Sequence, residues 1–345
     1  VADKDDLNAQ LFGRDLFGDA IAPKPPGPVH ERFLQPPFSV LDGRQGEWQD
    51  RKRAWIGLGI KSEEGRGEGL VYSGVTIQMF DHYRVQEGTR TSSGQQGTSI
   101  FDPVLCECAY RWWCPVGGQI VDPFAGGSVR GIVATSLGMR YWGCDLSSKQ
   151  IEANRAQLSE VPHGAHDPVW VSGDSVDTLG DAPEADFVFS CPPYGDLEVY
   201  SDDPRDLSTM EYAQFLEKYQ RIIFRAAFKL RMNRFACFVV ADFRNPSNGM
   251  YRDFVSETIR AFRMAGLQLY NNAILVSPVG TASLRVTRQF NGGRKLVKCH
   301  QDVLVFVKGD PKLAAASAMA APDWGDAPAG LVDGVVNAMN GSEAP

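Results

Sequence analysis

The chain has 345 residues, with 35 Lys and Arg against 42 Asp and Glu, a net charge of −7, so it lacks the overall basic footprint that usually binds a polyanion. The excess is terminal: residues 1–20 hold five acids against Lys4 and Arg14, residues 310–345 hold five against Lys312, and residues 21–309 balance at 32 of each sign. The acidic average therefore excludes neither a nucleic-acid substrate nor any other.

Residues 1–30 read as a disordered acidic, proline-rich tail, with a near-repeat of Leu11-Phe12-Gly13 and Leu16-Phe17-Gly18 before Pro23, Pro25, Pro26 and Pro28. No basic start followed by an apolar run opens the chain, which implies a cytoplasmic location. No stretch approaches the ~18 apolar residues of a membrane helix. Residues 31–98 form an N-terminal extension rich in Gly, Arg and Gln, with Arg51-Lys52-Arg53 beside Trp48 and Trp55.

From 99 to 309 short apolar runs alternate with helical patterns. Strands are predicted at Ile120–Asp122, Tyr141–Asp145, Val169–Val171, Asp186–Ser190, Ala236–Ala241, Leu267–Val276 and Val303–Val307. Helices are predicted at Pro103–Trp113, Val129–Leu137, Ser147–Leu158, Ser208–Met232 and Tyr251–Met264; Ser208-Thr209-Met210-Glu211 fits a capping box. This is the pattern of an α/β doubly wound, Rossmann-like sheet of seven strands with helices on both faces. Seven cysteines is an odd number and favours reduced thiols. Cys106, Cys108 and Cys114 match no common zinc spacing and sit in an apolar segment, so they are expected to be buried, with no metal. Residues 310–345 read as a loose Ala/Gly/Pro-rich tail.

Two motifs carry chemistry. The first, Asp122-Pro123-Phe124-Ala125-Gly126-Gly127-Ser128, follows the first strand and opens a helix. In open α/β sheets ligands sit outside such strand ends, and glycines allow close backbone approach. No Lys-Ser/Thr pair follows the glycines, so a phosphate loop is not formed, and G-x-G-x-x-G is absent. Asp145, followed by Leu146, ends the next strand and can accept both hydroxyls of a ribose. Asp174 and Ser175 follow the third strand, where a side chain can reach an adenine ring. A glycine turn with a ribose acid, but without phosphate chemistry, points to S-adenosylmethionine.

The second motif, Cys191-Pro192-Pro193-Tyr194, ends the fourth strand. Consecutive prolines hold the chain extended and cannot continue a ladder. A rigid turn carrying an aromatic ring suits methylation of a planar amine: the ring stacks on the base, and fixed carbonyls accept its N–H groups.

With these residues the chain resembles the amino-methyltransferases of DNA, whose motifs read D-P-F-x-G-x-G and [D/N/S]-P-P-[Y/F/W]. The likeness covers about 99–309. It includes Ile100-Phe101-Asp102-Pro103, similar to the family's N-terminal cofactor segment, and Lys298 to Gly309, similar to its last strand. The stretch from Phe38 to Trp55 resembles the leader of phage-encoded modification methylases. The resemblance implies methylation of adenine N6 or cytosine N4 in double-stranded DNA, as in restriction-modification, in a bacterial or phage-infected cell; the sequence leaves monomer and homodimer both open. Phe101, Asp102 and residues 122–128 would hold the cofactor. Ser128 replaces the family's second glycine, and Cys191 replaces its Asp, Asn or Ser, which removes the usual clue to the target base.

A base inside a duplex must flip out to reach such a pocket. Arg285, Arg288, Arg294, Lys295 and Lys298, in a stretch without acids, are the first candidates for phosphate contact, and Arg51, Lys52, Arg53 and Arg84 the second. The acidic segment from Asp196 to Asp206 reads as a loop over the pocket, and Asp242-Phe243-Arg244 could reach it or form an ion pair. Three other readings stay open: an RNA guanine-N2 methyltransferase, a C5-pyrimidine methyltransferase using Cys191 as nucleophile, and a non-catalytic DNA-binding relative.

Overall fold

A computed structural model of the chain describes residues 33–60, 101–195, 201, 203–277 and 282–319, without the side chains of 282–285, 288 and 319. The expectations for the 1–30 tail, Arg84, Ile100, residues 196–200 and 202, and 320–345 lie outside the described residues.

Among the described residues eight strands form one sheet: β1 Val40–Asp42, β2 Gln119–Asp122, β3 Arg140–Asp145, β4 Val169–Ser172, β5 Ala185–Ser190, β6 Leu230–Val240, β7 Gln268–Val276 and β8 His300–Lys308. The order is β1-β7-β8-β6-β5-β2-β3-β4. Every pair is parallel except those of β8, which runs antiparallel to both β6 and β7. Parallel strands are covered on both faces and read as continuous apolar runs; all six residues of β5 are buried accordingly. The seven predicted strands are present, and the eighth corrects the count. It is β1, from the extension, paired with Ile274–Val276 of β7.

Helices cover both faces. One apolar layer is built with α1 Gly46–Gly57, α2 Pro103–Trp113, α3 Val129–Ser136, α4 Ser148–Leu158 and α9 Pro311–Met319. The other is built with α5 Ser175–Thr178, α6 Tyr212–Lys229 and α7 Phe254–Met264. Local chemistry sets several starts. Asp102 caps α2 through Val104 and Leu105 N–H with Pro103 in the first turn, and the Ser147 hydroxyl caps α4 at Gln150 N–H. Helix α6 buries Phe215, Tyr219, Ile222, Ile223 and Ala226 on one face.

Four boundaries differ from expectation. The capping box does not form: the Ser208 hydroxyl donates to Asp206, which caps a 3-10 turn over Leu207–Thr209, and α6 begins after it. Helix α6 stops at Lys229 because Leu230 already pairs with Ala185 in the sheet. The basic stretch after β7 contains a helix, α8 Ala282–Gly293. Residues 311–319, expected in a loose tail, form α9, with Ala314 and Ala318 in the core. Cys106, Cys108 and Cys114 are fully buried, and burial pushes their thiols up.

The extension is locked to α2 through Glu107, which is fully buried. Its carboxylate accepts from Arg51 at 2.5 and 2.6 Å, Arg111 at 2.9 Å and Trp55 Nε1 at 2.8 Å. Burial pushes this carboxyl up, but Arg51 and Arg111 outweigh it and hold it below its usual value. A carboxyl depressed in the folded state adds stability above its unfolded pKa and loses it as pH falls through the folded value. Glu107→Gln should therefore cost about 3 kcal/mol at neutral pH, the low end for a broken buried pair, because both arginines keep an edge in solvent. Urea midpoints taken from pH 7 to pH 3 check this. The variant should lose less on acidification than the wild type; parallel pH profiles would show that Glu107 carries no depressed titration.

Candidate active site

Four strand ends meet along one edge of the sheet. Behind them lies Asp122, completely buried. Its Oδ1 accepts from Ser190 Oγ at 2.5 Å and Phe124 N–H at 3.1 Å; its Oδ2 accepts from Arg130 Nε at 2.6 Å and Tyr141 Oη at 2.7 Å. Burial opposes the Arg130 charge, but Asp122 outweighs it and the guanidinium stays protonated. Arg130 also donates to the carbonyls of Phe124 and Ala125 and lies 4.7 Å over the Phe101 ring. One buried pair thus ties the ends of β2 and β5 to the loop between β2 and α3 and to the entry of α2.

The loop is further fixed to β3. Ala125 N–H donates to Cys144 O at 2.9 Å, and Gly126 N–H donates to Asp145 Oδ2 at 2.9 Å. Gly126 has φ +51°, a conformation that glycine adopts without strain. Asp145 Oδ1 accepts from Ser147 N–H at 2.9 Å. Burial pushes the Asp145 carboxyl above its usual value against the pull of these two N–H groups. Each oxygen, having two acceptor sites, keeps one for a ligand.

A cavity of about 640 Å3 runs along this edge, within the range of small-molecule sites. Pro123, Phe124, Gly126, Gly127, Asp145 and Leu146 line it, as do Phe101, Asp102, Asp174 and Ser175. Cys191, Pro192, Pro193 and Tyr194 line it too, so the two sequence motifs share one space. Asp122, Ala125 and Ser128 do not face it. They are buried behind the loop, where the Ser128 hydroxyl donates to Gln157. Asp174 caps α5 through Val176 N–H, and its other oxygen pairs with Lys218 at 2.6 Å. The Ser175 hydroxyl donates to Pro123 O at 2.6 Å. From the acidic segment, Ser201, Asp203, Arg205 and Asp206 line the cavity. Arg205 holds the half-buried Asp203 carboxyl down to about 2.

Tyr194 is clamped. Its hydroxyl accepts from Gln301 Nε2 at 2.8 Å, and its ring centroid lies 6.3 Å from Phe243 and 6.2 Å, edge on, from Phe254. Gly195 turns the chain at φ +56°, and a Cβ there would stand 3.1 Å from Phe243. Cys191 Sγ lies 3.8 Å from Tyr194 Oη. Phe243 belongs to this aromatic support, whereas Asp242 accepts from Val255 N–H and Arg244 stacks on Tyr251 at 3.9 Å; none of the three lines the cavity. Arg130, Lys218 and Gln301 are not singled out by the sequence. Arg130 has a signal, the second position of the helix that the glycine motif opens. Gln301 and Lys218 have none, because distant elements deliver them.

The basic candidates divide. Arg51 is turned inward on Glu107, which corrects its expected place on a DNA-facing surface. Lys52 pairs with Asp102 at 3.0 Å and lines the cavity. Arg53 is exposed and pairs with Asp50. Arg294 is exposed, 5.1 Å over the Phe290 ring, and Lys298 pairs with Asp302 at 3.2 Å. Lys295 lies beside Gly249, where an added Cβ would stand 2.9 Å from its Cε. Arg285 and Arg288 lie on α8, their side chains outside the description. Among the described residues no group of three or more His, Cys, Asp or Glu is placed to hold a metal, and no helix is long and apolar enough to cross a membrane.

No family model and no curated protein matches the chain. Solved structures do resemble it. TrmN from Thermus thermophilus is 16% identical with a TM-score of 0.39, over 60% of this chain and 49% of that one. Magnesium protoporphyrin IX methyltransferase from Synechocystis PCC 6803 with bound SAM is 12% identical with a TM-score of 0.40, over 70% of this chain and 100% of that one. A provisionally assigned DNA modification methylase, also from Thermus thermophilus, is 18% identical with a TM-score of 0.30, over 40% of this chain and 51% of that one. The chain thus spans about half the length of TrmN. At these scores the likenesses add nothing to the strand order described above.

Proposed function

We propose that the chain is an S-adenosylmethionine-dependent methyltransferase acting on the exocyclic amine of a flipped-out base in double-stranded DNA, adenine N6 or cytosine N4. The observation that carries this reading is the single cavity shared by the glycine loop, Asp145 and the Cys191–Tyr194 turn. The residues fit the cofactor. Asp145, at a strand end, keeps acceptor capacity for two ribose hydroxyls, and Gly126 and Gly127 leave the loop backbone open to close approach.

When bound, the cofactor supplies a methyl group activated on a sulfonium. The chain's own residues orient and polarise the acceptor. Tyr194, held by Gln301 and the Phe243–Phe254 pair, offers a fixed ring for the base to stack on. The Pro192 carbonyl accepts an N–H of the amine and draws its lone pair out of conjugation; the Cys191 thiol is a weak acceptor. No strong base is needed, since the nitrogen becomes acidic once methylated and can release its proton to water. Arg53, Arg285, Arg288, Arg294, Lys295 and Lys298 are the candidates for backbone contact. The resemblance adds a modification methylase of the phage-encoded kind, working in the cytoplasm of a bacterial or phage-infected cell.

Incubation with methyl-labelled cofactor and unmodified duplexes of varied sequence, followed by digestion to nucleosides, is expected to yield labelled N6-methyladenine or N4-methylcytosine. Label only in transfer RNA, or only at cytosine C5, would overturn the substrate assigned here.

A further inference from the structure

Lys52 comes from the extension, on α1, and reaches the same cavity as the motifs. One turn before it, Trp48 donates Nε1 to Asp102 Oδ2 at 3.2 Å, and Lys52 Nζ donates to the same oxygen at 3.0 Å. Asp102 Oδ1 is taken by the cap of α2. The pair is partly open, with 25% of the Lys52 and 16% of the Asp102 side chain exposed.

The other cations on the cavity wall are differently placed. Lys218 is bound by Asp174 and the Arg205 carbonyl, and Arg205 by Asp203. Both belong to the β4 side. Lys149 follows Asp145 in the first turn of α4. Arg130 spends Nε on Asp122 and Nη2 on loop carbonyls. Lys52 lies on the far side of the glycine loop from Asp174. Its partner Asp102 follows Phe101, whose ring meets Phe189 of β5 at 5.7 Å. Lys52 uses one of three N–H donors on Asp102.

We propose that Lys52 binds the amino-acid end of the cofactor: its ammonium, held in place by Asp102, pairs with the α-carboxylate through its remaining N–H donors. This rests on the cofactor reading above. Ribose and adenine at Asp145 and Asp174 place the nucleoside toward β4, so the rest of the molecule extends past the loop toward Phe101. The α-carboxylate is the one anionic group of that end, and Lys52 is the cation on this side of the loop with N–H donors left for a charge-assisted contact, Asp102 being fully used by Trp48, Lys52 and the cap of α2. The extension thereby becomes part of the cofactor site.

The test is binding, measured by calorimetry on the full chain with two ligands. S-adenosylhomocysteine keeps the amino-acid group; 5′-methylthioadenosine lacks it. Lys52→Gln should weaken the first by at least about tenfold, as expected for a lost charge-assisted contact, while the second changes by less than about twofold. Lys52→Arg should recover most of the loss. Unchanged S-adenosylhomocysteine affinity in Lys52→Gln overturns the proposal. An equal loss for both ligands also overturns it, since Lys52 would then only fasten the extension. A wild-type chain that binds neither ligand overturns the cofactor reading and this inference together.

Discussion

Replacing Arg130 by Met is expected to lower the stability of the chain by about 3–5 kcal/mol, the cost of leaving a buried charge without its partner. The stranded group is Asp122, with no exposed surface. Its remaining donors are Tyr141, Ser190 and the Phe124 N–H, three neutral groups that stabilise an anion less than a guanidinium does. The loss includes hydrogen bonds to the Phe124 and Ala125 carbonyls, so the glycine loop should loosen and cofactor affinity fall as well. Adding Asp122→Asn removes the uncompensated charge, and the double variant should be more stable than Arg130→Met alone, a coupling characteristic of contacting residues. Urea denaturation at pH 7 reads all three chains. A loss below about 1 kcal/mol for Arg130→Met would mean that water reaches Asp122.

Tyr194→Ala should slow single-turnover methyl transfer by roughly a hundredfold, and Tyr194→Phe by only a few-fold. The first removes the stacking surface, valued at about 1–3 kcal/mol per base, and also the positioning of the acceptor. The second keeps the ring and loses the hydroxyl that accepts from the Gln301 carboxamide and lies against the Cys191 thiol. Cofactor binding by calorimetry should stay near the wild-type value in both. Near-normal turnover in the alanine variant would remove Tyr194 from the reaction. An equal loss in the phenylalanine variant would shift the role from the ring to the hydroxyl.

The parts of the fold that can be read directly are those whose signal is local. Strands β2 and β5 are short apolar runs because both their faces are covered. The loop at Pro123–Gly127 and the turn at Cys191–Tyr194 can be placed at the site because each follows such a strand within the chain. Strand β1 is hidden by its length: of Val40, Leu41 and Asp42 only Leu41 is buried. Helix α8 is masked by its Gly292-Gly293 end, and α9 by an Ala-rich composition typical of a tail. The basic triplet misleads for a physical reason. A sequence displays charge but not partners, and Glu107 is 56 positions from Arg51. Three consecutive helical residues point in three directions: Arg51 into the protein, Lys52 to the cavity and Arg53 to solvent. Gln301 reaches Tyr194 because β8 is antiparallel, so the start of that strand lies at the edge where β5 and β6 end.

The short strand β1 has a consequence for solubility. Without it, β7, a nine-residue strand paired with β8 on one side only, would close the sheet with the outward-pointing half of its N–H and C=O groups open, a template on which another chain could polymerise. Strand β1 caps only Ile274–Val276. The remainder of β7 carries its own deterrents: a register break between Leu269 and Asn271, and two exposed asparagines, Asn271 and Asn272. At the opposite margin β4 is four residues long. Both rims of the sheet are therefore poor seeds for cross-β growth, and changes that lengthen or flatten them, such as Asn271→Val with Asn272→Val, should be felt first as aggregation rather than as lost stability.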